Sequence, residues 1–239
     1  MITPALSVIV PTYNERDSLP LLIDRLAHVA ARVAFEVVIV DDGSPDGTGA
    51  VAEALARTAP MPIRVVHRAG KGGLASAVMD GVSASQGATV AVMDADLSHP
   101  PELLPELAAA VADGADVAVA SRYIAHGGIE SWSLLRRIVS RGATGLAKVG
   151  LGLSVRDPLS GFFAARRTLL TGGAYRQLGY KLLMEILATH RGAHVVEIPY
   201  RFVDRGQGTS KLSLREIADF LRLLVYLRRR NKPWNSAHS

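Results

Sequence analysis

The chain has 239 residues, 49% of them hydrophobic and 21% charged, with no cysteine. That is enough for one large α/β domain with a filled core, and it excludes a disordered chain, a disulfide framework and thiolate chemistry. The net charge of +5 is unevenly placed: Pro199–Lys232 holds nine Lys or Arg against three acids, and residues 132–150 carry Arg136, Arg137, Arg141 and Lys148 with no acid. Such basic stretches are either ordinary solvated surface or a face for an anionic partner, which can be membrane headgroups, phosphates or nucleic acid.

In chain order, the first strand-like run is "LSVIV" (6–10), with no charged leader ahead of it, so no signal peptide is expected. It leads into "PTYNE" (11–15) and a helix near 17–32. The run "FEVVIV" (35–40) is followed by "DDGSPDGT" (41–48) and a helix near 46–58, with Asp46 as its N-cap. Next come "IRVV" (63–66), "HRAGKGG" (67–73) and a helix near 73–85. Then follow "ATVAVM" (88–93), "DADLSHP" (94–100) and a helix near 101–112; "DVAVA" (116–120) ends in "SRY". The runs are short and rich in Val and Ile, as strands buried on both faces are. Their alternation with helices predicts a mainly parallel sheet covered on both sides. Ligands bind at the carboxyl ends of such strands, where these five loops gather acids, glycines and basic residues.

Past residue 124 the pattern loosens. "WSLLRRIVSRGATGLAKVG" (132–150) and "YKLLMEILATH" (180–190) have helical spacing. "DPLSGFFAARR" (157–167) reads as a turn into a strand, and "HVVEIPYRF" (194–202) as a strand before the loop "VDRGQGTSKLS" (203–213). A last helix, about 214–230, is both apolar and basic. No run reaches about 18 uninterrupted apolar residues, so no transmembrane helix is expected. The expected division is a catalytic domain over 1–212 and a C-terminal amphipathic basic helix and tail over 213–239.

Asp94 and Asp96 carry the clearest chemistry. Alternate residues of a strand share a face, so two carboxylates here can point the same way and repel unless a cation sits near them. A hard divalent ion such as Mg²⁺ or Mn²⁺ suits two carboxylates and keeps positions for phosphate oxygens. An acid–base pair or a plain strand terminus ahead of Pro100 are the other readings; the surrounding loops favour the metal. "GKGG" (70–73) lacks P-loop spacing, no G-x-G-x-x-G opens the first helix, and no G-x-S-x-G elbow occurs. His67, His99 and His190 lack metal-ligand spacing and read as structural or surface residues.

The stretches "VIVPTYNE", "VVIVDDGSPDGT", "DADLSHPPE", "ASRY", "DPLSGFF" and "RGQGTSKL" together resemble, in order, the signature of glycosyltransferase family 2, over about residues 5–215. "SPDGT", "DPLSGFF" and "GTSKL" are similar to its polyprenol-phosphate (dolichol-phosphate) mannosyltransferase branch. The resemblance implies a GT-A-type nucleotide-diphospho-sugar transferase fold and inverting transfer of a hexose, mannose from GDP-mannose, to a polyprenyl monophosphate. It implies donor contacts at Pro11, Tyr13, Glu15, Asp42, Asp94, Ala95 and Asp96, with Asp94 and Asp96 on the metal and diphosphate. Arg122, Arg136 and Arg205 match arginines near donor and acceptor phosphates, and Lys181, Ser210 and Lys211 fall in the active-site helix and loop. Asp96, Arg122 and Arg205 are the expected catalytic set. Many relatives have Gln as a further metal ligand where this chain has Ser98, a shorter oxygen donor that reaches metal through water or not at all.

A lipid monophosphate is largely a dianion at neutral pH, its second pKa lying near ~6, and attacks without a general base. Arg forks recognise phosphate bidentately. A lipid acceptor places the enzyme on a membrane surface, expected at the cytoplasmic face. The last helix can lie in the interface, with Leu214, Ile217, Leu221, Leu224 and Tyr226–Leu227 as its apolar side, or pack on the core instead. Some relatives append transmembrane helices and others rely on a membrane-anchoring partner protein. Two other readings compete: a family 2 enzyme using another sugar nucleotide, such as UDP-glucose, or a saccharide acceptor, whose hydroxyl needs a base, for which Glu185 is the candidate; and a basic nucleic-acid-binding module. With aromatics at 5% and no recognition helix, no nucleic-acid partner is expected.

Overall fold

The computed structural model describes residues 5–70, 72–130, 132–173, 175, 181–203 and 214–230. In chain order these form β1 (Leu6–Thr12), α1 (Ser18–Ala30), β2 (Phe35–Asp41), α2 (Thr48–Thr58), β3 (Ile63–His67), α3 (Leu74–Ala84) and β4 (Thr89–Val92). After a 3-10 turn at Pro101–Leu103 come α4 (Leu104–Ala112), β5 (Val117–Ser121), β6 (Gly128–Glu130), α5 (Leu134–Leu151), β7 (Phe163–Arg166) and α6 (Arg167–Thr171). The chain continues through α7 (Leu182–Thr189), β8 (Val195–Pro199), β9 (Arg201–Val203) and α8 (Leu214–Arg230).

Seven strands form one sheet in the order β3-β2-β1-β4-β7-β5-β8. β7 runs antiparallel to both neighbours, and the remaining pairs are parallel. Every residue of β1 and β2 is buried. Their side chains alternate between two apolar layers, Val8, Val10, Val37 and Ile39 facing one and Ile9, Val38 and Val40 the other. The first layer takes Leu19, Leu22 and Leu26 of α1 with Leu104 and Leu107 of α4; the second takes Val78 and Val82 of α3 with Leu183 and Ile186 of α7. The expectation that all five early strands are buried on both faces fails at β3. It is the sheet edge, with Arg64 and His67 exposed.

The strand expected over 194–202 is two. β8 ends the main sheet, and β9 leaves it to pair in parallel with β6 as a separate ribbon. Tyr200 is the crossover: its N–H donates to Ser121 O, and its carbonyl accepts from Gly128 N–H (3.1 and 3.0 Å). Three-residue strands such as β6 carry too little periodicity to be read from sequence. The last helix packs on the core: Phe220, Leu223, Leu224 and Leu227 are buried against Ala147 and Leu151 of α5 and Met184 and Ala188 of α7. Of the apolar side that could face an interface or the core, Leu224 and Leu227 thus belong to the core, whereas Ile217, Leu221 and Val225 remain exposed on α8. No described helix is long and apolar enough to cross a membrane.

In the sheet order, β1 lies between β2 and β4, and the chain departs on opposite sides of it. The crevice beyond the carboxyl ends of β1 and β4 is therefore the topological switch point of the sheet.

Candidate active site

A cleft of about 480 Å³ opens at this switch point. Pro11, Tyr13, Glu15, Asp42, Asp94, Ala95, Asp96, Ser98, Arg122, Arg136 and Lys181 all line it. Of the sequence-predicted site residues, Arg205, Ser210 and Lys211 lie outside the described residues.

The loop after β1 is stitched to the loop after β2. Asn14 N–H donates to Ser44 Oγ (3.0 Å), Glu15 N–H to Thr48 Oγ1 (2.9 Å) and Arg16 N–H to Asp46 Oδ2 (3.2 Å). Ser44 is held in turn by the buried Asp41, its hydroxyl donating to Oδ1 at 2.5 Å. Asp46 was expected to cap α2, but the cap position is Gly47, in the left-handed region at φ 90°. Asp46 instead accepts from Thr48 N–H and Oγ1 (3.0 and 2.6 Å). The polar residues of "DDGSPDGT" thus form scaffold around one cleft residue, Asp42.

Asp42 is buried and heavily bonded. It pairs with Arg68 and accepts the N–H groups of Gly72 and Gly73 (3.2 and 3.3 Å). Arg68 also reaches Asp80 (2.8 Å) and Ser76 (2.7 Å). Sequence reading missed Arg68, whose only signal was its place in the glycine-rich "HRAGKGG". The two loops meet at Gly43, at φ +71°, where an added Cβ would sit 2.9 Å from Gly70 Cα. Gly43→Ala combines a left-handed strain of about 1 kcal/mol with a backbone clash. It is expected to destabilise the protein by about 2 kcal/mol. Urea unfolding checks this, and an unchanged midpoint would contradict it.

Asp94 and Asp96 are not strand residues, because β4 ends at Val92. Strand alternation therefore does not bring them together; a bend does, with Leu97 at φ 64°. Ser98 closes it. Its N–H and hydroxyl both donate to Asp96 Oδ1, at 3.0 and 2.5 Å, and the residue is 2% exposed. Ser98 therefore fixes the Asp96 carboxylate. Behind the bend, the buried His99 accepts the Asp94 N–H on Nδ1 (3.0 Å) and stacks on Phe162 (centroids 5.2 Å apart). Two carboxylates with a serine-fixed geometry form a hard-oxygen donor set that fits Mg²⁺ or Mn²⁺.

Burial pushes the His99 pKa down to about 4; Asp96 pulls it up, Arg122 lowers it and Asp157 raises it. The ordinary imidazole value is ~6.5, so between about pH 6.5 and 4 the unfolded chain holds the extra proton. Stability is therefore fully present above pH 6.5 and is lost as pH falls through that window. Denaturant midpoints at pH 7.5 and 5 are expected to differ in this direction, and less so in His99→Gln. A midpoint that rises on acidification would contradict it.

Arg122 follows β5 and is held by Asp157 of "DPLSGFF". Its Nε and Nη2 donate to the two carboxylate oxygens at 2.8 Å each, and its backbone N–H donates to Oδ2 (3.0 Å). Asp157 is fully buried. Burial would depress the Arg122 pKa, but the hydrogen bonds and charge of Asp157 outweigh it and raise the value. Arg136 lies 4.1 Å over the Trp132 ring, which packs edge-on to Phe202 (5.3 Å). Trp132, Phe202 and Gly161 also line the cleft. Sequence reading missed Asp157, Trp132 and Phe202, because the ribbon that brings Trp132 to Phe202 is a tertiary pairing. Glu185, the base a saccharide acceptor calls for, is buried in α7 and does not line the cleft.

Residues 7–172 match the glycosyl transferase family 2 domain. The chain is 40% identical over 223 residues to a dolichol-phosphate mannosyltransferase of Pyrococcus furiosus, covering 92% of this chain and 63% of that protein. It is 41% identical over 214 residues to a polyprenol monophosphomannose synthase of Mycolicibacterium smegmatis, covering 86% of this chain and 80% of that one. It thus spans less than two thirds of the length of the first relative. Among solved structures, glucosyl-3-phosphoglycerate synthase of Mycobacterium tuberculosis, in complex with Mn²⁺, UDP-glucose and phosphoglyceric acid, superposes with a TM-score of 0.69. The identity is 21%, over 95% of this chain and 79% of that one. That likeness is one of fold, and the fold is GT-A-like. The matched domain covers more than half of the chain and includes the loops that build most of the cleft, so the chain belongs to glycosyl transferase family 2, the glycosyltransferases.

Proposed function

We propose that this glycosyltransferase moves mannose from GDP-mannose to the phosphate of a polyprenyl monophosphate, with inversion, giving a polyprenyl-phosphate β-mannose. The observation that carries the reading is one cleft lined by two adjacent carboxylates, Asp94 and Asp96, and three cations, Arg122, Arg136 and Lys181. Two relatives, 40% and 41% identical to this chain, are named dolichol-phosphate mannosyltransferase and polyprenol monophosphomannose synthase, which supports mannosyl transfer to a polyprenyl phosphate.

Asp94 and Asp96 would hold Mg²⁺ or Mn²⁺, which when bound supplies charge stabilisation to the leaving diphosphate. Pro11, Tyr13, Glu15, Asp42 and Ala95 are assigned to the nucleotide. Arg122 keeps its charge at any physiological pH and presents it from a position fixed by Asp157. Arg136, braced on Trp132, and Lys181 add positive charge for the phosphates. Arg205, Ser210 and Lys211 are assigned to the acceptor phosphate by resemblance. The one histidine of the cleft, His99, is buried and its Nδ1 is taken by a backbone N–H. A phosphate dianion attacks without a base, so the acceptor chemistry suits this cleft. The lipid tail is accommodated at a membrane surface. The exposed Ile217, Leu221 and Val225 of α8 and Leu134, Ile138, Leu146 and Val149 of α5 offer an apolar face, with Arg228–Arg230 beside it. The enzyme then works as a peripheral protein on the cytoplasmic face.

The test is incubation with polyprenyl phosphate in detergent or vesicles, Mg²⁺ or Mn²⁺, and a panel of labelled sugar nucleotides. Label from GDP-mannose is expected in the lipid fraction. Transfer only to water-soluble acceptors, or to lipid only from a uridine donor, would overturn the reading.

A further inference from the structure

A second recess, of about 490 Å³, lies where the segment after β5 meets the middle of α5. Arg122, Arg141, Lys148 and Arg156 line it, and no carboxylate does. The charge of Arg122 is committed to Asp157. The side chains of Arg141, Lys148 and Arg156 have no ion-pair partner among the described residues, so three cations converge without neutralisation. Thr144 also lines the recess, is 6% exposed, and its Oγ1 is buried with no hydrogen-bond partner. Of the five such buried polar atoms among the described residues, Thr144 Oγ1 is the one whose residue lines this recess. The recess differs from the cleft in that no carboxylate lines it, although Asp157 pairs with Arg122 and Glu197 accepts the Arg156 N–H (2.8 Å).

The helix shows what borders the recess. Arg137, Arg141, Thr144 and Lys148 recur at intervals of three and four, so they share one stripe of α5. The adjacent stripe carries Leu134, Ile138 and Val149, exposed by 75%, 59% and 87%. A ligand in the recess therefore meets cationic side chains on one side and an apolar helix face on the other.

We infer that this recess binds a phosphate group, that of an anionic phospholipid headgroup, with Arg141, Lys148 and Arg156 supplying charge and Thr144 a hydrogen bond. Arg122, a residue that lines both the recess and the cleft, links headgroup binding to the catalytic side.

The full chain is tested by co-sedimentation with vesicles of phosphatidylcholine alone or with added phosphatidic acid, and by calorimetric titration with inorganic phosphate. Wild type is expected to prefer the acidic vesicles and to bind inorganic phosphate weakly and saturably. Arg141→Gln and Arg156→Gln are each expected to weaken both by roughly fivefold. Arg32→Gln, an exposed site far along the chain, makes the same charge change and is the control. Thr144→Val keeps charge and volume; it is expected to weaken both by a few-fold, whereas a merely basic surface would not register it. Wild-type binding by Thr144→Val, or losses in Arg141→Gln no greater than in Arg32→Gln, would overturn the site. Saturable binding of inorganic phosphate with no preference between the two vesicles would overturn the lipid source.

Discussion

Asp96→Asn is expected to lower sugar transfer by roughly 10³-fold or more while the fold stays intact, the scale seen when a preorganised electrostatic contact to a developing charge is lost. The asparagine carbonyl can still accept from Ser98 N–H and Oγ, which now donate to Asp96 Oδ1. The bend is kept and only the negative charge is removed. Asp96→Ala is expected to lose transfer as fully. It also leaves two donors of a nearly buried serine without their acceptor, at about 1–3 kcal/mol. Comparing the two variants separates charge from scaffold. Unfolding should register only the alanine variant, and transfer should register both. Near-normal transfer in Asp96→Asn would remove Asp96 from the metal and diphosphate assignment.

Asp157→Ala is expected to be the most damaging change away from the reacting groups. It deletes the acceptor of three hydrogen bonds from Arg122. The guanidinium that remains has a side chain only 9% exposed and a partner that was 0% exposed. Breaking a buried pair from one side costs about 3–5 kcal/mol, because the surviving charge stays desolvated. For a chain of this size that corresponds to a fall in Tm of roughly 10 °C. Transfer should drop at temperatures where the variant is still folded, since Arg122 is no longer held at the cleft. Asp157→Asn, which can accept one bond from the guanidinium without the charge, should fall between the two. Wild-type Tm and transfer in Asp157→Ala would show that the pair is dispensable to both.

The alternating Val- and Ile-rich runs and the loops that follow them were enough to place the parallel sheet and to nominate the edge that holds the cleft. Those signals are local: burial on both faces makes β1, β2, β4 and β5 predominantly apolar, and the chemistry follows closely after each strand. Eleven nominated residues, from Pro11 to Lys181, line a single cleft. The roles of partners were harder to read. Asp46 looked like a cap and instead ties two loops; Ser98, considered as a further metal ligand, also orients Asp96. Leu224 and Leu227 suited either an interface or the core and are core. In each case the residue type permits two partners, and nothing in a one-dimensional pattern says which is nearer.

By itself, then, the sequence determined the class of fold and the strand-end edge where acids, glycines and basic residues gather, because these depend on periodicity and on spacing within one loop; the individual arginines were named by resemblance to the family. Only the tertiary structure decided what holds them. The Arg68–Asp42 and Arg122–Asp157 pairs and the β6–β9 ribbon behind Trp132 join residues 26 to 73 positions apart, and the acid-free recess brings Arg156 to Arg141 and Lys148 of α5. Such pairings are chosen by burial and by the cost of leaving a desolvated charge or backbone group unpaired, and that cost exists only once the chain has folded.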